Sequence, residues 1–390
     1  MGRVREVHRT RGTGGWREKE PVDKRTYDLR RAVLGEKHPD TIQSMANLAV
    51  TYSQQGRYAE AEPMKIKVLD LRREVLGEKH PDTIGSMAEL AATYSQQGRY
   101  AEAEPIFIKV LELRREVLGE KHPDTIESMA SLATTYNQQG RYAEAEPMKI
   151  KALKLRQEVL GEKHPDTIRS IASLATTYHA QGRYAEAEPI CIKVLELRRE
   201  VLGEKHPDTI RSMADLALTY NAQGRYAEAE PMKIKVLELR QEVLGEKHPD
   251  TIRSMAHLAT TYHTQGRYAE AEPIDIKVLE LRRDILGEKH PDTIGSMADL
   301  AATYSRQGRY AEAEPICIKV LELRREVLGE KHPDTIWSMA ELAITWNSRG
   351  RRDDAIGLMN KCLQLRQTVL GPDHPFTKQS AQTLNSWKNG

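Results

Sequence analysis

Three arginines spaced 42 residues apart are the side chains of this chain best suited to bind a ligand. They are Arg169, Arg211 and Arg253, and each follows the same local sequence, His-Pro-Asp-Thr-Ile. A guanidinium group can hold a carboxylate or a phosphate through two parallel hydrogen bonds. The spacing therefore predicts a basic row, here called the arginine row, that suits an acidic or phosphorylated extended segment.

Further candidate binding residues stand at or near the equivalent places in neighbouring segments. They are Glu127, Asn137, His179, Asn221, His263 and Trp337. Trp337 is a candidate anchor for an apolar side chain, because tryptophan is enriched among the residues that dominate binding energy. Two hypotheses stay open for the arginine row. Either it binds a ligand, or these surface positions drift, with the arginines solvated or paired with Asp215 and Glu127.

Patterns that would indicate catalysis or metal binding are weak. His257 and His263 are six residues apart on one predicted helix and would face nearly opposite sides of it. The Gly-Glu-Lys-His segment lacks the Lys-Ser/Thr ending of a phosphate-binding loop. The triplet His-Pro-Asp recurs between helices, where it indicates a helix start. We therefore predict no enzyme activity, no cofactor and no metal.

The candidate residues recur because the chain is built from one 42-residue repeat. A His-Pro pair opens each repeat, and position n lies n residues after that histidine. The histidines are His38, His80, His122, His164, His206, His248, His290, His332 and His374. A strict period of this length is typical of a solenoid, in which each repeat packs on its neighbours and the array presents a long surface to a partner.

The repeat that begins at His80 shows why a helical hairpin is predicted. Pro81 suits the first helical turn, where its missing N–H costs nothing. An apolar stripe then recurs at three- and four-residue steps: Ile84, Met87, Leu90, Ala91 and Tyr94. Gly98 is expected to end this helix, and a second helix is predicted from about Tyr100 to Leu118.

The segments LA-x-TY-x-x-QGRYAEAEP and LGEKHPDT resemble tetratricopeptide repeats of the kinesin light chain type, from Trp16 to the C-terminus. The stretch from Gly350 to Thr377 resembles the closing repeat of such arrays in fungal NOD-like receptors. The resemblance implies an all-α, right-handed superhelical solenoid of helix-turn-helix repeats. It also implies a concave groove lined by the first helices, where positions 5, 12, 15 and 16 carry the candidate residues.

Differences between repeats concentrate on that predicted groove. On the first helix they fall at positions 5, 9, 12, 15 and 16, and four of these form one helical stripe. The second helix departs from the family pattern at position 27, where many members carry an aromatic residue. This chain has Lys65, Phe107, Lys149, Cys191, Lys233, Asp275 and Cys317 there. The charged residues predict either disturbed hairpin packing or a surface location for position 27.

Four segments are predicted along the chain. Residues 1–15 form a basic, disordered tail, 16–37 an N-terminal half-repeat, 38–373 eight tetratricopeptide repeats and 374–390 a C-terminal capping helix. The last helix places Leu384 and Trp387 under a polar outer face. The first half-repeat aligns with a second helix alone, so it is either a cap or the cut end of a longer receptor.

Composition narrows the possible partners and location. The chain has 59 basic and 57 acidic residues, so no strong attraction to nucleic acid or anionic lipid is expected. No apolar run approaches the ~18 residues of a membrane span. Three cysteines are few for a secreted protein and favour a reducing compartment, so the predicted location is cytoplasmic. The basic tail leaves an organelle or the nucleus open.

The predicted function follows from these patterns together. We expect a non-catalytic scaffold that binds an extended, acidic protein or peptide segment in its concave groove. The alternative is the ligand-sensing repeat tail of a nucleotide-dependent, NOD-like signalling receptor whose ATPase domain lies outside this chain. In both cases the partner is predicted to be neither nucleic acid nor membrane.

Overall fold

A computed structural model describes residues 13–389 of the chain, which divides into two compact units, Met1–Leu197 and Arg198–Gly390. The first unit contains α1 (Thr13–Leu34), α2 (Pro39–Gln54), α3 (Tyr58–Leu76), α4 (Pro81–Gln96), α5 (Tyr100–Leu118), α6 (Pro123–Gln138), α7 (Tyr142–Leu160) and α8 (Pro165–Ala180). Helix α9 (Tyr184–Leu202) contains the division between the units. The second unit contains α10 (Pro207–Ala222), α11 (Tyr226–Leu244), α12 (Pro249–Thr264), α13 (Tyr268–Leu286), α14 (Pro291–Arg306), α15 (Tyr310–Leu328), α16 (Pro333–Ser348), α17 (Arg352–Val369) and α18 (Pro375–Asn389).

Successive helices pack on one another within each unit, from α1 to α8 in the first and from α10 to α18 in the second. The predicted all-α fold of roughly 42-residue helical hairpins is therefore confirmed. Twelve of the fifteen residues of the predicted basic tail lie outside the described part of the chain. Helix α1 begins at Thr13, so residues 13–15 are helical although the sequence predicted them to be disordered.

The His-Pro-Asp triplet starts the first helix of a repeat, as predicted. The Nδ1 atom of His122 accepts a hydrogen bond from the backbone N–H of Asp124 at 3.2 Å and so caps α6. Pro123 takes the first helical position, where no intrahelical N–H is needed. The first helix of the preceding repeat, α4, ends at Gln96, and Gly98 follows two residues later with a φ of +75°, a left-handed conformation open to glycine.

The apolar stripe of a first helix packs against its own second helix and against the second helix of the preceding hairpin. In the first unit, Ile126, Met129 and Leu132 are 1–4 % exposed and join Leu111 and Leu113 of α5 in one cluster. Full burial of such a side chain stabilises a fold by about 1.5–3 kcal/mol. The core therefore runs from hairpin to hairpin within the unit, as expected for repeats that pack only on their neighbours.

Two recurrent arginine contacts join consecutive hairpins. Arg114, near the end of α5, donates from Nη1 to the backbone oxygen of Asp124 at 2.9 Å and to Oγ of Ser128 at 2.7 Å. Both acceptors lie at the start of the next first helix. The same contact is made by Arg72, Arg240, Arg282, Arg324 and Arg366.

A second arginine explains why the QGRYAEAEP segment is identical in the seven repeats that begin at His38 to His290. The guanidinium of Arg141 lies 4.3 Å above the ring of Tyr136. It also donates to Glu104 of the preceding hairpin at 2.7 Å and to Glu144 of its own helix at 2.6 Å. The nearby Arg141 lowers the pKa of both carboxyl groups. One arginine thus contacts three helices, α5, α6 and α7, and this restricts substitution of the segment.

Candidate peptide-binding groove

A groove of about 420 Å³ opens on the first compact unit, between α4 and α8. Its lining comes mainly from the first helices, at the positions that vary between repeats. Apolar side chains supply part of it, namely Ala92, Phe107, Ala130 and Ala152. The variable stripe of the first helix therefore lines a concave surface in this unit.

Two of the predicted binding residues, Glu127 and Arg169, are exposed and line this groove. Arg169 Nη1 lies 3.0 Å from Asp166 Oδ1 on its own helix. Glu127 instead accepts a hydrogen bond from Arg156, which is only 5 % exposed. The carboxylate of Glu127 is therefore paired with a buried arginine of the second helix, while Arg169 is paired with Asp166 of its own helix.

The second compact unit carries the other members of the arginine row. Arg211 and Arg253 are exposed on α10 and α12, and Arg253 Nη1 lies 3.2 Å from Asp250 Oδ1. Trp337 is 43 % exposed on α16, and its ring meets that of Phe376 edge-on with centroids 5.4 Å apart. Its indole is thus supported by the C-terminal helix and still open to a ligand.

The charged residues at position 27 are buried, contrary to the expected surface location. The seven residues named above are between 5 % and 7 % exposed, and Met359 of the eighth repeat is 2 % exposed. The charged members reach polar groups of the neighbouring first helices: Lys65 donates to Thr93 Oγ1 at 2.8 Å, and Asp275 accepts from Thr303 Oγ1 at 2.6 Å. Helical packing therefore persists, with a hydrogen bond where other family members place an aromatic ring.

Lys149 shows how burial at position 27 affects the ionisation of a charged side chain. Its ammonium donates to Thr177 Oγ1 at 2.7 Å and to the backbone oxygen of Ser173 at 3.1 Å. Burial lowers the pKa of Lys149 to about 8. For Lys65, burial also lowers the pKa, and the nearby carboxylate of Glu89 opposes that change.

The predicted ligand-binding residues at position 15 are half-buried and face position 27 of their own repeat. Asn221 Oδ1 accepts from Lys233 Nζ at 3.0 Å, and His263 Nε2 lies 2.9 Å from Asp275 Oδ2. The hydrogen bond to Asp275 raises the pKa of His263, against the opposite effect of desolvation. In these two repeats, the residue type at position 15 therefore matches the buried residue at position 27 of the same repeat, and the groove is not its only surroundings.

The equivalent residues of the first unit, Asn137 and His179, are also half-buried. Asn137 Oδ1 and His179 Nε2 are buried atoms without a hydrogen-bond partner among the described residues. The ring of His179 packs edge-on against Tyr184, with centroids 4.9 Å apart. Position 15 is thus an intermediate layer between the groove and the core.

Sequence reasoning missed the buried lysines as part of the site. The available signal was the alternation of EPMKIK with other segments in successive repeats, together with a constant threonine at position 13.

Within residues 13–389, no group of three or more side chains is arranged to hold a metal ion. No helix of that part of the chain combines the length and apolar character needed to cross a membrane.

Comparison with solved structures returned proteins with similar repeats. A putative kinesin light chain of Podospora anserina with nearly identical TPR-like repeats is 28 % identical, with a TM-score of 0.47, over 53 % of this chain and 97 % of that chain. BtubC (BKLC) from P. vanneervenii is 22 % identical, with a TM-score of 0.52, over 60 % of this chain and 94 % of that chain.

A signal transduction ATPase with numerous domains (STAND) from Pyrococcus horikoshii, which has a tetratricopeptide repeat sensor, aligns with 98 % of this chain and 56 % of its own. It is 16 % identical, with a TM-score of 0.60, so the likeness concerns the fold alone. A comparison with curated proteins returned no match.

The family model for the tetratricopeptide repeat matches the chain in eight overlapping stretches. They are residues 20–74, 49–107, 84–148, 130–188, 171–233, 215–275, 257–315 and 295–356. Together these stretches cover most of the sequence and include every predicted binding residue. The chain therefore belongs to the tetratricopeptide repeat family.

Proposed function

We propose that the first-helix face of each compact unit binds an extended, acidic protein segment without catalysis. Tetratricopeptide repeats act as protein–protein interaction scaffolds, since stacked repeats create extended concave surfaces. The acidic character of the partner is our inference from the charges on these surfaces.

The proposal rests on the charged side chains that line the groove of the first unit. Three cationic side chains, Lys149, Arg156 and Arg169, line it together with one carboxylate, Glu127. An excess of one charge in a concave surface attracts partners of the opposite charge and favours their correct orientation. In the second unit, Arg211 and Arg253 are exposed on first helices and supply the same charge.

The test is reversal of the arginine row by the triple substitution Arg169→Glu, Arg211→Glu and Arg253→Glu. All three arginines are exposed, so the helical content and thermal midpoint should stay unchanged. We expect the affinity for a fluorescent oligoglutamate peptide to fall about tenfold or more at low salt.

The matched control reverses three exposed arginines of the second helices, Arg115→Glu, Arg199→Glu and Arg283→Glu. It changes the net charge equally but leaves the first-helix face intact. The proposal is refuted if the arginine-row variant binds the peptide as tightly as the unchanged protein, or if the control variant loses as much affinity.

A second candidate is the sensing tail of a nucleotide-dependent receptor. The STAND protein from Pyrococcus horikoshii, described as having a tetratricopeptide repeat sensor, shares the fold over 98 % of this chain. Sequencing full-length transcripts from the source cells tests this candidate. A reading frame that joins these repeats to a nucleotide-binding domain would support it, and a transcript that encodes the repeats alone would exclude it.

A further inference from the structure

The repeat that begins at His122 has more room beside its buried lysine than the other repeats have at the same place. Position 30 is valine in six repeats, namely Val68, Val110, Val194, Val236, Val278 and Val320. In this repeat it is Ala152, which has two carbon atoms fewer and lines the groove of the first unit together with Lys149. The two residues are three apart on α7 and so share one face of the helix. The exchange of valine for alanine therefore widens the groove next to Lys149.

The hydrogen bonds of Lys149 suit a neutral amine better than an ammonium. Its Nζ atom has two acceptors, Thr177 Oγ1 at 2.7 Å and the backbone oxygen of Ser173 at 3.1 Å, and both are neutral. An ammonium has three N–H donors, whereas an amine has two, so these acceptors satisfy the amine and leave its lone pair free. Burial lowers the pKa of Lys149 to about 8, in agreement with this count. An amine with a free lone pair is a nucleophile.

The groove is large enough to hold a small organic molecule against this amine. Its volume of about 420 Å³ lies within the range of roughly 300–1,000 Å³ that is usual for ligand pockets. Phe107 and several alanines give it apolar walls. The cationic side chains of the lining already have carboxylate partners: Arg156 is paired with Glu127, and Arg169 with Asp166. The walls and the amine together suit a small electrophile with an apolar body.

We propose that Lys149 and the groove beside it form a covalent capture site for small aromatic or other apolar aldehydes. The Nζ lone pair attacks the aldehyde carbon, so a C–N bond forms and the carbonyl π electrons move to oxygen, which gains a proton as nitrogen releases one. The carbinolamine then loses its hydroxyl group together with the second N–H proton as water, and a C=N bond forms. One amine and one aldehyde thus give one imine and one water, without an oxidant or a reductant. Lysines whose pKa is lowered by burial are the ones that form such imines in proteins.

The experiment exposes the unchanged protein to benzaldehyde and sodium cyanoborohydride, which reduces an imine to a stable secondary amine that peptide mass spectrometry locates. At pH 7, about one tenth of a lysine with a pKa of 8 is neutral, against about one in 2,500 at the reference pKa of about 10.4. The lower basicity weakens the nucleophile and offsets part of this difference. We expect Lys149 to be labelled at least about tenfold faster than Lys151, an exposed lysine of the same helix. The ratio should shrink at pH 10, where ordinary lysines also lose their proton.

Lys233 is the matched control within the same chain. It is buried, it donates to two neutral acceptors, Asn221 Oδ1 and Thr261 Oγ1, and burial lowers its pKa. It does not line the groove, and its neighbour at position 30 is Val236. Labelling of Lys233 should therefore be about tenfold slower than labelling of Lys149, because the aldehyde has no equivalent space there.

The decisive variant is Ala152→Val, which restores the residue of the other six repeats and narrows the groove. Valine already stands three residues after a buried lysine in the pairs Lys65–Val68 and Lys233–Val236, so the helical content should stay unchanged. We expect labelling of Lys149 to fall about tenfold in this variant while Lys151 reacts as before. The capture site is refuted if Lys149 reacts no faster than Lys151 at pH 7, if Lys233 reacts as fast as Lys149, or if Ala152→Val leaves the rate at Lys149 unchanged.

Discussion

Replacing Lys149 with methionine should raise the free energy of unfolding at pH 7, although two hydrogen bonds are lost. Burial lowers the pKa of this ammonium from 10.5 to about 8, and the residue is 5 % exposed. At about 1.4 kcal/mol for each tenfold change in an ionisation constant, the charge costs roughly 3 kcal/mol relative to the unfolded chain. The two hydrogen bonds offset about 1 kcal/mol each, which leaves a net gain for Lys149→Met of about 1 kcal/mol.

The sign of the pH dependence follows from which state binds the proton more tightly. Because the pKa of Lys149 is lower in the folded chain, the unfolded chain binds more protons between about pH 8 and 10.5. Stability of the unchanged protein therefore gains from this group as the pH rises through that window. Lys149→Met lacks the titration, so its advantage should shrink above pH 8 and reverse as the lysine becomes neutral but keeps its hydrogen bonds.

The assay is urea unfolding followed by helical circular dichroism at several values between pH 7 and pH 10. Lys65→Met is the matched control, because the carboxylate of Glu89 opposes the effect of burial on the pKa of Lys65, and the substitution removes this favourable charge interaction. We expect this control to lower stability at pH 7. The reasoning is refuted if Lys149→Met is the less stable protein at pH 7 and its difference from the unchanged protein stays constant up to pH 10.

Three further substitutions test other contacts. Gly140→Ala should lower stability by about 1 kcal/mol in urea unfolding, since φ is +76° there although a Cβ would meet no neighbouring atom; an unchanged midpoint would contradict this. Arg141→Met should lower the thermal midpoint, and less so at high salt, because two carboxylates lose their partner; a loss independent of salt would assign the effect to packing on Tyr136. For His263, a raised pKa means that its pairing with Asp275 stabilises fully below pH 6.5 and is lost as the pH rises through the raised value. The stability of His263→Gln should therefore approach that of the unchanged protein between pH 5.5 and 8.5, and a constant difference would exclude the pairing.

Sequence patterns predicted the helices well, because their ends depend on nearby residues. Pro81 and Gly98 mark the limits of a first helix through backbone preferences that act within a few residues. The second helix from Tyr100 to Leu118 has the predicted bounds. These features need no knowledge of how one hairpin packs on the next.

The environment of Lys149 was not predictable by the same rules. Its acceptors lie 24 and 28 residues further along the chain, so only the packing of α7 against α8 brings them together. A charged side chain on an amphipathic helix is normally expected to reach solvent. The prediction for His263 as a groove residue was incomplete for a related reason, since its partner Asp275 belongs to the following helix.

The contact of Arg114 and its equivalents with the next first helix has a consequence for how the gene can gain or lose repeats. Because the same arginine and serine meet at successive junctions, a crossover that adds or removes whole repeats restores the same hydrogen bond between hairpins. The buried lysines add a restriction, since they alternate, and Lys65 is followed by an acidic residue that Lys149 lacks. Gain or loss of two repeats between Lys65 and Lys233 keeps the alternation. Beyond Lys233, Asp275 and Cys317 already stand in consecutive repeats, so a change by a single repeat meets no such restriction there.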